Sequence, residues 1–342
     1  MLLSIIVPVY NMAADNKLIH CLDSLICQTI DDYEIIAVDD CSTDNSFEIM
    51  KGYEKKYPDR FRAIHSEVNL HQGGAKNIGI RAAKGEWIGF IDADDWIAPD
   101  MYEQLINKAN ETGADIVGCD YCLVDSYTFE TGDNIVRNSS YDQVGDIGPK
   151  QRKSFVLESG SLVVKIYRLS MILEHDLFFP ENIFYEDNAM ANSYLLSGKH
   201  FEYIDKPLYY YFQHDTSTVH TITEQRCDDR LQAGRIMIDE ARRLGFYEEL
   251  KPELEYSFTR MFYINTLFSY MPGVKHTRLS YVKNMGKEMK SYFPDFEKNE
   301  YYINEVHPEE KKLIAMQQRS TLIFMIYYKL LWGYRNLRKK IG

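Results

Sequence analysis

Through the first hundred residues, short β-branched apolar runs alternate with amphipathic stretches, the pattern of βαβ units feeding a mostly parallel sheet. Leu2–Val9 is apolar almost throughout and predicts a buried strand, and Leu18–Gln28 predicts a helix with Leu18, Ile19, Leu22, Leu25 and Ile26 on one stripe. Glu34–Val38 reads as the second strand, followed by a helix to about Tyr57 that Ser42 or Asp44 would cap. Phe61–His65 is a third strand, Gly74–Lys84 a helix ended by Gly85, and Trp87–Ile91 a strand that runs into a cluster of acids. Asp100–Thr112 then predicts a helix and Asp115–Cys119 a strand.

Between Asp125 and Lys153 the chain turns polar, with Gly132, Asn134, Gly145, Gly148 and Pro149, which predicts an irregular hairpin or flap inside the domain. Ser161–Tyr167 returns to the fold. From Glu224 onward the periodicity is helical, around Arg226–Leu244, Glu249–Tyr270 and Leu279–Tyr292. The boundary is expected near Thr216–Thr223. This divides the chain into an α/β domain over 1–218 and a helical region over 219–342, which ends in a basic amphipathic tail at 313–342.

Composition narrows this picture. A chain of 342 residues can bury a full core without staples. Its six cysteines include Cys119 and Cys122 as a lone CxxC with no second pair and no nearby histidines, which argues against a zinc site or a disulfide framework. A net charge of −12 disfavours general nucleic-acid binding, which rewards a basic face. No basic n-region or cleavage site opens the chain, so a cytoplasmic protein is expected. Past Glu310 there is no acidic residue, while Lys311, Lys312, Arg319, Lys329, Arg335, Arg338, Lys339 and Lys340 accumulate around the apolar run Leu322–Tyr328. That run is too short to span a bilayer, for which about twenty apolar residues are needed. The segment is expected to lie in the interface of an anionic membrane, the alternative being a terminal helix packed on the protein itself.

Four segments carry candidate chemistry, each at a strand end or ahead of a helix. Ile6-Val7-Pro8-Val9-Tyr10-Asn11 closes the first strand, where an open α/β sheet places its ligands, and Tyr10 offers an aromatic face to a base. Val38-Asp39-Asp40-Cys41-Ser42-Thr43-Asp44 closes the second, where a carboxylate can accept from ribose hydroxyls or a base N–H. In Ile91-Asp92-Ala93-Asp94-Asp95-Trp96 three carboxylates crowd one terminus, a repulsion that a hard divalent cation relieves. Phe184-Tyr185-Glu186-Asp187 sets two carboxylates among aromatics, where desolvation raises a pKa toward that of a general base.

In this order the segments resemble the inverting family 2 glycosyltransferases of the GT-A fold, of the bacterial surface-polysaccharide type, over about residues 1 to 218. Cys21-Leu22-Asp23-Ser24-Leu25 with Gln28-Thr29, and Gly73-Gly74-Ala75-Lys76-Asn77, complete the likeness. The resemblance implies that Pro8, Tyr10 and Asp40 surround the nucleobase and ribose. Asp92 and Asp94 match its Asp-x-Asp motif, with Asp94 the main protein ligand of a Mn²⁺ or Mg²⁺ and Asp92 nearer the ribose. Asp187 matches the catalytic base. Lys76 and Asn77 fall where the family commonly has Arg-Asn near the donor; lysine lacks the planar fork of arginine. Leu208-Tyr209-Tyr210-Tyr211, with His214, Ser217, Thr218 and His220, resembles the closing segment, from which a histidine could touch the diphosphate or the metal. The donor implied is a nucleotide-sugar, a UDP-sugar first, and the acceptor a glycan or lipid-linked glycan at the inner membrane surface. Two rivals remain. A nucleotidyltransferase would want a Gly-rich, cationic phosphate loop after the first strand, and Asn11-Met12-Ala13-Ala14-Asp15 is not one. A non-catalytic nucleotide or glycan-binding module would have lost Asp94 or Asp187.

Overall fold

A computed structural model describes residues 1–130, 133–213 and 222–341, with only the backbone described at 336, 337 and 339–341. The chain divides into two compact units, Met1–Asp215 and Thr216–Gly342.

The first unit is an α/β layer structure on one ten-stranded mixed sheet. Its strands are β1 (Leu3–Val9), β2 (Tyr33–Asp39), β3 (Phe61–His65), β4 (Trp87–Phe90), β5 (Trp96–Ile97), β6 (Ile116–Val124), β7 (Ile135–Val136), β8 (Gly145–Asp146), β9 (Lys165–Arg168) and β10 (His200–Phe212). The spatial order is β3-β2-β1-β4-β9-β6-β10-β5, with β7 on β6 and β8 on β10. The β3–β4 half is parallel, β9 runs antiparallel between β4 and β6, and β10 is parallel to β6. After β3 the chain crosses to the other side of β1 to make β4, so a topological switch point lies between β1 and β4, where such sheets open a crevice for ligands.

Helices α1 (Lys17–Ile26), α2 (Ser46–Lys56), α3 (His71–Ala82), α4 (Met101–Thr112), α5 (Pro149–Leu157), α6 (Leu169–Glu174) and α7 (Glu186–Ser197) flank the sheet. A main core gathers Ile5, Val7, Leu22, Leu25, Ile35 and Trp87, while Ile36, Val38 and Ala75 form a smaller one beneath α3. Close approach explains the glycines of α3: a Cβ on Gly79 would stand 2.4 Å from Ile6 Cγ2. Pro8 sits within β1 without costing a ladder bond. The Ile6 carbonyl accepts from Ile91 N–H, so Pro8, two residues on, faces that same side beyond the last β1–β4 pair, Ile6 with Phe90.

Two elements depart from expectation. Helix α3 starts at His71 rather than Gly74, because Asp40 Oδ1 takes the N–H of Leu70 and Asn69 Oδ1 that of His71, so the helix opens before its glycines. The expected flap over 125–153 contains the start of α5. Pro149 stands at the first helical position, where its missing N–H costs nothing, and the Gly148 N–H donates to Gln151 Oε1.

The second unit is helical: α8 (Glu224–Arg243), α9 (Lys251–Phe258), α10 (Thr266–Gly273), α11 (Leu279–Tyr292), α12 (Glu300–Glu305), α13 (Pro308–Arg319) and α14 (Thr321–Ile341). The stretch expected as one helix over Glu249–Tyr270 is continuous from Lys251 to Gly273 but widens into a π-helical turn at Thr259–Asn265. Phe258, Phe262, Leu267, Val282 and Ile314 are buried there. Helix α14 buries Phe324, Met325 and Tyr328 on one side, while Leu322, Ile323, Ile326 and Leu330 on another are more than half exposed. No helix among the described residues is long and apolar enough to cross a membrane.

Candidate active site

At the carboxyl ends of β1 and β2 two loops are zipped together. The Asn11 N–H donates to Ser42 Oγ (2.9 Å), the Thr43 N–H to Asn11 Oδ1 (2.8 Å), and the Met12 N–H to Ser46 Oγ (2.8 Å). Asp44 accepts from the N–H groups of Ala13 and Ser46, both at 2.9 Å. The expectation that Ser42 or Asp44 caps a helix holds in part: α2 begins at Ser46 with Asn45 at the cap position and no cap bond from it, Asp44 takes the first N–H of the helix from one residue further out, and Ser42 fastens the facing loop instead. Burial works against the Asp44 charge, yet the bonds from Ser46 and Ala13 leave its carboxyl below the usual range. Asn11 and Cys41 are held with φ of 53° and 63°, a conformation these cross-links support. Tyr10 follows the last residue of β1 and is 46% exposed.

Asp40 is buried, and Oδ1 accepts from the Leu70 N–H at 2.7 Å; burial raises its carboxyl, with the Leu70 bond opposing. Asp39 Oδ2 lies 2.7 Å from His65 Nδ1 and accepts from the Ser42 N–H at 3.3 Å.

The end of β4 is different. Of its three aspartates, Asp95 is structural: buried, it accepts from the Tyr209 hydroxyl (2.5 Å) and the Phe212 N–H (2.9 Å), tying the loop to β10. Asp92 and Asp94 point to the less covered side and are both partly exposed. Gln72 Nε2 donates to Asp92 Oδ1 at 3.4 Å. Burial pushes the Asp92 carboxyl up to about 7; Lys76 opposes, and Asp94, Glu186 and Asp187 add to the rise. From the other wall, α7 brings Glu186 and Asp187 in its first turn. Glu186 is buried and paired with the buried Lys76 at 2.8 Å, with the ammonium 5.1 Å from the Phe179 ring. Burial disfavours the Lys76 charge, but Glu186, Asp92 and Asp187 outweigh it and hold the ammonium above its ordinary range. Asp187 is exposed; the protein around it, then Glu186, raises its carboxyl, while Lys76 opposes.

The residues singled out from sequence lie in β1, beyond β1, β2 and β4, along α3 and at the start of α7, with different duties. Lys76 is the internal counter-ion of the acidic cluster. Asn77 holds the loop before α7: its amide donates to the Phe179 carbonyl (2.9 Å) and Glu181 Oε1 (3.2 Å) and accepts from the Phe179 N–H (2.8 Å). It fixes the loop that leads into α7. Gly73 serves the same junction, since a Cβ there would meet the Pro180 carbonyl oxygen at 2.1 Å. His214, Ser217, Thr218 and His220 lie outside the described residues. Sequence reasoning named Tyr209 only within the closing segment, whereas its hydroxyl also receives the Asp92 N–H at 3.4 Å; it missed His71, which holds φ 61° and lies edge-on against Phe184. The tyrosine run flagged Tyr209; for His71 only its place beside Gly73 was a signal.

Whether these residues suit a divalent cation is decided by their charge. Among the described residues no three candidate ligands converge, so the protein forms no complete cage. Three carboxylates, Asp92, Glu186 and Asp187, nevertheless share the Lys76 ammonium, and Asp94 acts on Asp92. A dication held by one or two carboxylates that completes its shell from a phosphate chain fits that donor set.

The model of glycosyl transferase family 2 matches residues 4–161. EpsH of Bacillus subtilis, described as a glycosyltransferase, is 38% identical over 223 residues, 63% of this chain, and this chain spans only 62% of its length. Glycosyltransferase GlyG of Streptococcus pneumoniae is 30% identical over 226 residues, 64% of this chain and 73% of the relative. The crystal structure of S. aureus TarS 1-349 in complex with UDP superposes with a TM-score of 0.68 at 20% identity, covering 94% of this chain and 92% of that one. The chain belongs to glycosyltransferase family 2, and its first unit has the GT-A fold.

Proposed function

We propose that this protein is an inverting, metal-assisted glycosyltransferase. It moves a hexosyl or N-acetylhexosaminyl group from a nucleotide-sugar, a UDP-sugar, to a hydroxyl of a glycan or lipid-linked glycan in bacterial surface-polysaccharide synthesis, at the cytoplasmic face of the plasma membrane. The observation that carries this is the pairing of an exposed Asp187 with Asp92 and Asp94 around one crevice, while Glu186 is locked to Lys76. The UDP in the similar TarS structure supports the donor class.

Tyr10 is the stacking face for the base, and Pro8 and Asp40 line the nucleoside end, where one Asp40 oxygen already holds the loop before α3. Asp94, with Asp92 beside it, would hold a Mn²⁺ or Mg²⁺, which when bound supplies Lewis-acid neutralisation of the diphosphate charge. Asp187 takes the proton of the acceptor hydroxyl as its oxygen attacks the anomeric carbon from the face opposite the diphosphate. The new C–O bond forms while the anomeric C–O bond to phosphate breaks, and UDP departs with that electron pair. A raised carboxyl suits this base, because its conjugate acid holds the proton more firmly than an ordinary aspartic acid does. Lys76 and Asn77 act one step back, fixing Glu186 and the loop that aims Asp187.

The test is UDP release from a panel of UDP-sugars with Mn²⁺ and a mixed glycan acceptor pool. Acceptor-dependent release from one donor is expected. Binding of UDP-sugars with no release from any of them points to a binding module, and pyrophosphate release from UTP and a sugar phosphate points to a nucleotidyltransferase. Either result overturns the proposal.

A further inference from the structure

The second unit carries a surface that the transfer chemistry does not use. Helix α14 is apolar on two sides. One side, with Phe324, Met325 and Tyr328, is buried in the unit. On the other side Leu322, Ile323, Ile326, Tyr327, Leu330 and Tyr334, spaced three and four residues apart, are each 46–69% exposed. Beside the start of this stripe opens a cavity of about 520 Å³ between α11 and the α13–α14 junction, with Leu322 in its rim. Four cations line it: Lys283, Lys287, Lys290 and Arg319. Lys290 is paired with Glu297, but Lys283, Lys287 and Arg319 face no carboxylate partner among the described residues. Its floor is set by the close approach of α11 to α13, where a Cβ on Gly286 would lie 2.6 Å from the Gln317 amide.

We propose that this face docks on an anionic phospholipid bilayer, with the α14 stripe in the headgroup–acyl boundary and a lipid phosphate seated among Lys283, Lys287 and Arg319. The charge pattern selects that occupant. The protein carries a net charge of −12, yet no acidic residue follows Glu310, and Lys329 and Arg338 flank the stripe. Apolar residues edged by uncompensated cations complement a negatively charged interface, which both inserts the first and attracts the second. A second copy of the chain would instead bring the same cations face to face. The inference rests on the reading that the enzyme works at a membrane face, and it gives that reading its residues.

The experiment is co-sedimentation of the full chain with vesicles of phosphatidylglycerol and phosphatidylcholine at low salt, against pure phosphatidylcholine, with UDP binding measured in parallel. Wild type sediments with the anionic vesicles, is largely released by high salt, and stays in solution with the neutral ones. Ile326→Asp with Leu330→Asp abolishes sedimentation, and the milder Ile326→Ser with Leu330→Ser weakens it, both with an unchanged thermal transition. Lys283→Glu with Lys287→Glu binds anionic vesicles roughly tenfold or more weakly, since each basic residue near such a surface adds to binding. Wild type that ignores anionic vesicles at low salt overturns the proposal. So do stripe variants that bind like wild type, and stripe variants that merely break a self-associated species seen in sedimentation velocity. UDP binding reports separately on the donor site, so failure there counts against the transferase reading and not against this one.

Discussion

Beyond β2, Asp39, Asp40 and Asp44 each accept at least one backbone N–H, from Ser42, from Leu70, and from Ala13 and Ser46. Beyond β4 and at the start of α7, Asp92, Glu186 and Asp187 share one ammonium, that of Lys76, and Asp94 acts on Asp92. The same side chain therefore does two kinds of work at neighbouring strand ends. The first group is consumed in building loops, each carboxylate bonded to the backbone that it holds, and Asp44 fastens the loop that follows Tyr10. In the second, burial and the neighbouring carboxylates raise Asp92 and Asp187 while Lys76 opposes, and carboxyls perturbed in this way mark candidate functional sites. An acidic cluster is informative about function to the extent that its members raise one another's carboxyls.

If that contrast is right, the largest effects belong to the second group. Asp187→Asn keeps the shape of the base and removes its proton affinity, so transfer should fall by roughly 10²–10⁴-fold with UDP binding near normal, as read from initial rates and calorimetry. Survival within a few-fold would move the base elsewhere. Asp94→Ala should abolish turnover and sharply weaken UDP binding in Mn²⁺, with no comparable loss in EDTA; equal affinity in Mn²⁺ would remove the metal site. Glu186→Gln probes the member paired with Lys76. It strands the buried Lys76 charge and should cost on the order of 3 kcal/mol of stability in denaturant titration. In the other group, Asp44→Ala leaves the Ala13 and Ser46 N–H groups without their acceptor. That should cost about 1–2 kcal/mol and loosen the loop that follows Tyr10, weakening UDP binding by a few-fold while the metal dependence is kept.

Much of this was legible in the sequence because strand ends announce themselves. Leu3–Val9 and Trp87–Phe90 are apolar runs, the first ending in Tyr10-Asn11 and the second running into Asp92, Asp94 and Asp95. What the chain order hides is which acid is spent. Asp94 and Asp95 are adjacent, yet only Asp95 turns toward β10 to meet Tyr209, 114 residues away. Glu186 and Asp187 separate in the same way, one turned inward to Lys76, 110 residues distant, and the other outward. Lys76 and Asn77 were visible as residue types, but their duty as counter-ion and loop clamp depends on Phe179 and Glu186 arriving from another part of the chain. Helix α5 was obscured for a local reason: it buries only Phe155 and Val156, too few positions to show a period in a polar stretch.

The smallest effect is the one that isolates the raised carboxyls without any chemistry. Burial, with Asp94, Glu186 and Asp187 adding, holds the Asp92 carboxyl at about 7, above its ordinary value near 3.8. A carboxyl raised on folding binds its proton more tightly in the native state, so its stabilisation is complete below the unfolded pKa and is lost as pH climbs through the folded one. Asp95 and Asp187 are shifted in the same direction and reinforce the sign. Protein stripped with EDTA and free of nucleotide should therefore lose several degrees of melting temperature between pH 5 and pH 8. Asp92→Asn, which cannot ionise, should flatten that slope. Mn²⁺ with UDP should reverse it, because a bound dication favours the ionised carboxylates that repel one another in its absence. A melting temperature that holds level from pH 5 to pH 8 in EDTA would mean that the carboxylates beyond β4 do not raise one another, and the distinction between the two groups would fail.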